Sequence, residues 1–371
     1  MKKIIKLVFA TAMLLIMLYA VTVSGIYQGK LNPSRLFSSM LTGIQNTITN
    51  FSSTASSIKV GEGTLNGQPI PILSGDQSTP TQDTQPATTE SVPSDEYAST
   101  GIQGLQTYTY GRTLLSDNEK MAYDQIQKGL LALDTKVTLT SSISPVSMEK
   151  VVQYLISDHP EAFYLNNTSM VYASSMSGAR KYEVSFTYYY RASEVETMRE
   201  ELRQKILPIV QQANTQSDMV KKEKILHDAL IKTCTYSMDA AENPESDHKA
   251  FTAYGALVEG SAVCEGYAKA LKLLADSAGL HTLYVTGTAA SAGSSGSHAW
   301  NIIYVGKWYQ VDATFDDPVY QTASGKYVSA DKKDYTYFNF VTVQDHVLGT
   351  FDSTSPFSSD SENYVTMPSL G

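Results

Sequence analysis

Three side chains with complementary chemistry follow one another along the chain in the order Cys264, His298 and Asp312. A thiolate attacks a carbonyl carbon, and an imidazole can hold that thiolate as an ion pair and protonate a leaving amine. A carboxylate fixes the tautomer of the imidazole and favours its charged form. If the fold brings these residues together, they form a thiol nucleophile site.

The cysteine stands at the start of a predicted helix. In the stretch "CEGYAKALKLLADSAG", Tyr267, Leu271 and Leu274 recur at helical spacing, and Gly279 is placed to end the helix. Cys264 therefore lies at the amino end. That end offers partial positive charge and free N–H groups, which stabilise a thiolate.

The histidine and the aspartate fall on a predicted β-hairpin, with "HAWNIIYV" and "WYQVDATF" on either side of a turn at Gly306 and Lys307. A two-residue loop would place His298 and Asp312 on opposite faces of the sheet. A three-residue loop or a bulge would place Asp312 opposite Trp300, diagonal to His298 on the same face. We therefore predict a three-residue loop or a bulge.

These segments resemble the transglutaminase-like superfamily, whose core is papain-like. The resemblance covers about residues 215–320, in the words "ILHDALIKTCTY", "AYGALVEGSAVCEGYAKALKLLADSAGL" and "SHAWNIIYVGKWYQVDATFDDP". It implies an α+β fold in which the helix carrying the cysteine packs on an antiparallel sheet carrying the histidine and the aspartate. It also implies that Cys264 is the nucleophile, His298 the general acid and base, and Asp312 the residue that orients the imidazole.

An acyl-transfer site also needs donors for the oxyanion, and the backbone N–H of Cys264 is one candidate. Papain-like enzymes place a glutamine shortly before the cysteine, but there is none between Phe251 and Cys264. Tyr254 is the candidate for the second donor. The alternative is that Tyr254 is a packed aromatic residue whose hydroxyl is satisfied elsewhere.

The chain divides into four predicted parts. Residues 1–29 combine three early lysines with a long uncharged apolar run, which indicates an export signal: either an uncleaved anchor, which the length favours, or a cleaved signal peptide. Residues 30–101 are a low-complexity stalk, rich in Ser, Thr, Gln and Pro from about residue 75. Residues 102–213 are a small α+β subdomain, and residues 214–371 the transglutaminase-like domain. We expect the main body to lie outside the cytoplasm, membrane-anchored or secreted.

The composition of the chain limits the classes of partner and ligand that we expect it to bind. A net charge of -9 and no concentrated basic face argue against a nucleic-acid partner. We predict no cofactor and no metal; the weaker alternatives are a calcium site at Asp316 and Asp317, a zinc site including His227, and a disulfide between Cys234 and Cys264.

The sequence thus predicts a thiol enzyme that acts on protein or peptide amide bonds through a thioester. Whether water or an amine receives the acyl group, giving a cysteine peptidase or amidase or a protein cross-linking enzyme, is left open. Two further alternatives are a non-catalytic surface module that keeps the fold, and a structural surface protein whose stalk is its main feature.

Overall fold

The structure is a computed structural model that describes residues 93–174, 179–291, 294–322, 327–330, 335–343, 345–348 and 368–371. The predicted export segment and all of the predicted stalk before residue 93 lie outside these ranges. Within them, no helix has the length and apolar character needed to cross a membrane.

The helices of the described residues are α1 (Tyr110–Thr113), α2 (Asp117–Leu131), α3 (Pro145–Asp158), α4 (Ala192–Ala213), α5 (Met219–Thr233), α6 (Met238–Glu242) and α7 (Cys264–Ser277). The sequence also predicts helix starts at Ser116, from its capping-box spacing to Glu119, and at Ser144 with Pro145 in the first helical position, and both are confirmed. Ser116 and Glu119 form a capping box before α2, and the side chain of Ser144 accepts from the backbone N–H of Ser147 at the start of α3.

The strands are β1 (Tyr97–Ser99), β2 (Gln106–Tyr108), β3 (Lys136–Ser141), β4 (Leu165–Ser174), β5 (Arg180–Tyr188), β6 (Thr235–Tyr236), β7 (Ser261–Ala262), β8 (His281–Ser291), β9 (Ser294–Tyr304), β10 (Trp308–Val311), β11 (Val319–Gln321), β12 (Tyr327–Ser329) and β13 (His346–Leu348). The antiparallel sheet that concerns the site has the order β10-β9-β8-β13. A second antiparallel sheet, β3-β5-β4, belongs to the preceding α+β segment, and β6 pairs in parallel with β7.

One prediction needs correction. The sequence predicts a helix near Ala250–Val258 before the cysteine helix, but the chain forms a 3₁₀ turn over His248–Phe251 and a single π turn over Gly255–Glu259. The side chain of Thr252 separates them, because its hydroxyl donates to the carbonyl of Lys249 at 2.7 Å and accepts from the N–H of Gly255 at 3.1 Å. Such local side-chain bonds compete with a regular helix.

The four-stranded sheet is covered on both faces. On one face, α7 packs its buried leucines against Ile303 and Val311, and the side chain of Asn301 donates to the carbonyl of Ala268 in α7 at 2.9 Å. On the other face, Trp300 belongs to a second apolar cluster that includes Leu283, Val285, Ile302 and Phe340. The mixed α+β architecture, with the cysteine helix on an antiparallel sheet, is as predicted.

The larger apolar core is continuous across the predicted boundary between residues 213 and 214. It joins side chains of α2, α3, β5 and α4 to those of α5 and α7. The division into two subdomains at this position stays a prediction.

A buried lysine fastens the cysteine helix to two strands. Lys272, 1% exposed, donates from Nζ to the carbonyls of Tyr108 at 2.9 Å and Thr282 at 2.7 Å, and to Oδ2 of Asp276 at 2.7 Å. Asp276 is itself fully buried and also accepts from the backbone N–H groups of Tyr108 and Thr282. All three donors of the ammonium group are used, as burial of a charge requires.

Replacing this lysine should therefore destabilise the whole domain. We expect Lys272→Met to lower the free energy of unfolding by about 3–5 kcal/mol, because the Asp276 charge is left buried without its partner. The control is Lys269→Met in the same helix, whose partly exposed pair with Glu265 should contribute no more than about 1 kcal/mol. Urea unfolding measures both, and equal losses would contradict the account.

Candidate active site

The start of α7 holds Cys264 as its first helical residue. The residue before it is Val263, whose apolar side chain cannot cap the helix, so the first N–H groups keep no side-chain acceptor. The N–H of Val263 donates to the carbonyl of Ala250 at 3.0 Å. A Cβ at Gly266 would lie 2.5 Å from that same carbonyl oxygen, so glycine permits the close approach that fixes the helix start.

The hairpin has the predicted three-residue loop. Trp308 pairs with Tyr304 and Val311 with Asn301, which leaves residues 305–307 as the loop. Gly306 has a φ of 94°, the left-handed conformation that such loops require and that glycine adopts at low cost. Continuing the register puts Asp312 opposite Trp300.

Register therefore places the histidine and the aspartate on one face, and their side chains meet. His298 donates from Nε2 to Oδ2 of Asp312 at 2.6 Å. Burial alone would lower the pKa of His298, but the charge and the hydrogen bond of Asp312, with a further contribution from the Cys264 thiol, raise it to about 10. The imidazolium form of His298 is thereby favoured.

Asp312 is almost completely buried, at 1% exposure, and its carboxylate is fully used. Oδ1 accepts from the backbone N–H groups of Thr314 at 2.8 Å and Phe315 at 3.3 Å, and Oδ2 accepts from His298 and from His346 at 2.8 Å. Burial raises the pKa of Asp312, yet the two histidines outweigh it and hold the pKa well below its usual range. Asp312 is an ionised carboxylate inside the protein.

Cys264 and His298 line one cleft, together with Phe251, Glu265 and Tyr284. Because Nε2 of His298 is bonded to Asp312, Nδ1 is the ring nitrogen available to the thiol, whose hydrogen bond contributes to the raised pKa of the histidine. Cys264 is partly exposed, so the sulfur can be reached from solvent. The structure brings Cys264, His298 and Asp312 together as the sequence predicted.

Tyr254, predicted as a second oxyanion donor, is placed elsewhere. Its hydroxyl donates to Oε2 of Glu201 in α4, and its ring packs against Phe163 at a centroid distance of 5.2 Å. The alternative of a packed aromatic with a satisfied hydroxyl is the one observed. The prediction for Tyr254 was wrong because its hydroxyl bonds to a residue of a helix distant in sequence, and no local pattern reveals such a pairing.

Tyr236 is a tyrosine that the sequence analysis missed. Tyr236 is half-buried, and in the parallel β6-β7 pair it lies opposite Ala262. Ala262 is two residues before Cys264 in the chain. Burial first, and then the negative charges of Cys264 and Asp312, raise the pKa of Tyr236 to about 12. Tyr236 is thus near enough to Cys264 and Asp312 for their charges to act on it, and as a neutral phenol it can donate a hydrogen bond. The one available signal was its position directly after α5.

The residues considered for a calcium site, a zinc site and a disulfide make other contacts in the structure. His227 is fully buried with Nε2 3.1 Å from Oδ2 of Asp316, and Asp317 accepts from the hydroxyl of Tyr267 at 2.7 Å. Cys234 is buried and both cysteines are free thiols, so the disulfide alternative is wrong.

His298, Asp312 and His346 together carry side chains of the kinds that bind metal ions. The nearest ligand atoms of His298, Asp312 and His346 lie within 4.8 Å of one another. Their spacings of 2.6 and 2.8 Å are those of N–H···O hydrogen bonds. The three residues therefore satisfy one another as a proton-linked group.

Residues 208–313 match the model of the transglutaminase-like superfamily. No curated protein matches the sequence at a significant level.

Two solved structures share weak similarity. A crystal structure of a TGase is 17% identical, covers 47% of this chain and 49% of its own, and gives a TM-score of 0.29. A proposed cysteine protease from Cytophaga hutchinsonii is 15% identical, covers 41% of this chain and 66% of its own, and gives a TM-score of 0.23. The chain thus spans about half of the first structure and just under two thirds of the second. The assignment of a family therefore rests on the family model alone. Residues 208–313, which contain Cys264 and His298 and extend just past Asp312, form a transglutaminase-like domain.

Proposed function

We propose that this protein is a thiol enzyme that cleaves protein or peptide amide bonds by transferring the acyl group to Cys264. The observation that carries the proposal is the 2.6 Å hydrogen bond from His298 to the buried carboxylate of Asp312, beside a cysteine at a helix start. In that arrangement Cys264 supplies the nucleophile, His298 the proton donor and Asp312 the fixed charge that orients the imidazole.

In the first step, the Cys264 thiolate attacks the amide carbon and a C–S bond forms. The C–N bond then breaks, and the proton of the His298 imidazolium passes to the leaving nitrogen, which departs as ammonia or an amine. The product is a thioester on Cys264 and a neutral His298. The Asp312 charge keeps the ring oriented in both protonation states.

In the second step, neutral His298 removes a proton from the incoming water or amine as that nucleophile attacks the thioester. A new C–O or C–N bond forms, the C–S bond breaks, and the thiolate and the imidazolium are restored. Water gives a carboxylic acid and an amine gives a new amide. The first half of the reaction is the same for both acceptors.

The tetrahedral intermediate carries a negative oxygen, and two donors support it in this proposal. One is the backbone N–H of Cys264 in the uncapped first turn of α7. The other is the hydroxyl of Tyr236, which is neutral at physiological pH. This assignment replaces the earlier expectation for Tyr254.

We also propose that the enzyme works outside the cytoplasm. The support is the lysine-flanked apolar run in residues 1–29 and the stalk composition that follows it. Protein or peptide chains at a surface are then the substrates within reach.

The direct test is incubation of the full-length protein with a glutamine peptide and a labelled amine, beside a Cys264→Ala control. We expect release of ammonia together with either amine incorporation or a free carboxylate, and at least a 10³-fold loss of both in the control. A folded protein with no turnover of either kind would favour the non-catalytic module instead.

The raised pKa of His298 predicts the alkaline limit of activity. The imidazolium is the form that protonates the leaving group, so kcat/KM should fall as pH rises through about 10. Asp312→Asn removes the charge that raises this pKa, and the alkaline limit should move to lower pH, towards the ordinary histidine value of about 6.5. A pH profile of the residual activity measures the shift, and an unchanged limit would contradict the role of Asp312.

Tyr236→Phe tests the second oxyanion donor. Loss of one such donor should lower kcat by roughly 10²-fold while KM changes little, since the bond forms only with the transition-state oxyanion. Tyr254→Phe is the matched control and should leave kcat within about threefold of the wild type. Equal effects of the two substitutions would remove Tyr236 from the proposal.

A further inference from the structure

A second histidine shares the carboxylate that orients His298. His346 donates from Nε2 to Oδ2 of Asp312 at 2.8 Å, the same oxygen that His298 contacts at 2.6 Å. The other ring nitrogen of His346, Nδ1, lies 3.1 Å from Oδ1 of Asp345. Both ring nitrogens of His346 therefore face carboxylate oxygens, which only accept hydrogen bonds when ionised.

The sheet is built so that the two histidines can approach. His346 lies on β13, which pairs with β8, and β8 in turn pairs with β9, which carries His298. Strands two places apart are separated by about 10 Å. The imidazole rings nevertheless come within 5.6 Å, centroid to centroid, because the intervening residues are Gly287, opposite His298, and Ala289, opposite His346.

The surroundings of His346 hold it in place and keep water away. The side chain has no exposed surface. Aromatic rings lie at centroid distances of 4.7–5.4 Å around it, and these belong to Phe315, Tyr337, Trp300 and Phe340. A charge-assisted hydrogen bond in such a setting is stronger than in water.

We propose that His346 is a positioning residue for the reaction at Cys264: it holds Oδ2 of Asp312 in place so that His298 keeps the orientation that pairs it with the thiol. This inference rests on the proposed function, and it adds a fourth residue to the group. His346 lies beyond the segment that matches the family model, on β13, which forms an edge strand of the sheet beside β8.

The alternative role for His346 is packing alone, and the two roles predict opposite orders for two substitutions. In His346→Gln, the amide N–H can still donate to Asp312, whereas in His346→Leu the site is filled by an apolar side chain that suits the aromatic surroundings. Positioning favours glutamine, and packing favours leucine.

The test is the rate at which iodoacetamide alkylates Cys264 in the full-length protein at neutral pH, followed by peptide mass spectrometry that counts buried Cys234 separately. This readout depends on the pairing of the thiol with His298 and needs no acyl substrate, so it is independent of turnover. We expect His346→Leu to lower the rate about tenfold and His346→Gln to leave it close to that of the wild type, within about 1.5-fold.

His281→Gln is the matched control, since it changes another buried histidine at the opposite end of β8, and it should leave the rate unchanged. Thermal unfolding establishes that each variant is folded. If His346→Leu fails to fold, Asp345→Ala takes its place, because Asp345 is one-third exposed and its loss removes the acceptor of Nδ1; a decrease of about threefold is then expected. A leucine variant as reactive as the glutamine variant, or an Asp345→Ala variant as reactive as the wild type, would overturn the proposal.

Discussion

The structure of the site depends on one buried carboxylate. Asp312 is ionised inside the protein, and four donors satisfy it: two backbone N–H groups in the turn that follows β10, and two imidazoles. Burying a charge is costly unless each of its hydrogen-bonding positions is used. The turn, the hairpin and β13 must therefore all be formed before Asp312 can stay charged, and a charged Asp312 is what keeps His298 protonated and oriented.

The cysteine side of the site is built by different means. Its helix is anchored at depth by Lys272 and Asp276, while its first turn is left without a capping side chain by Val263. A Ser, Thr, Asp or Asn at this position would stabilise the helix by about 1 kcal/mol. It would also occupy one of the N–H groups of the first turn, at the second or third helical residue, whose partial positive charge stabilises a thiolate. Stability is thus concentrated in the body of the helix, and the reactive end is left open for chemistry.

Features set by local sequence were predictable. The helix start at Cys264 and the capping box at Ser116 follow from residue spacing, and the three-residue hairpin loop follows from the parity of strand register once His298 and Asp312 are required to share a face. Contacts between segments far apart in sequence were not. His346 is a lone histidine 34 positions after Asp312 with no motif around it, and the hydroxyl of Tyr254 is directed by Glu201, which lies 53 positions earlier. Such pairings are created by tertiary packing, which leaves no periodic trace in the sequence.

The central claim is that Cys264 accepts an acyl group with the help of His298 and Asp312. Intact-protein mass spectrometry after brief incubation with a glutamine peptide, with no added amine and at mildly acidic pH, would test it most directly. The account predicts an added mass equal to the peptide less ammonia, located on Cys264, removed by hydroxylamine and absent from the His298→Ala variant. Acylation of another residue, or none on a folded protein whose Cys264 still reacts with iodoacetamide, would contradict it.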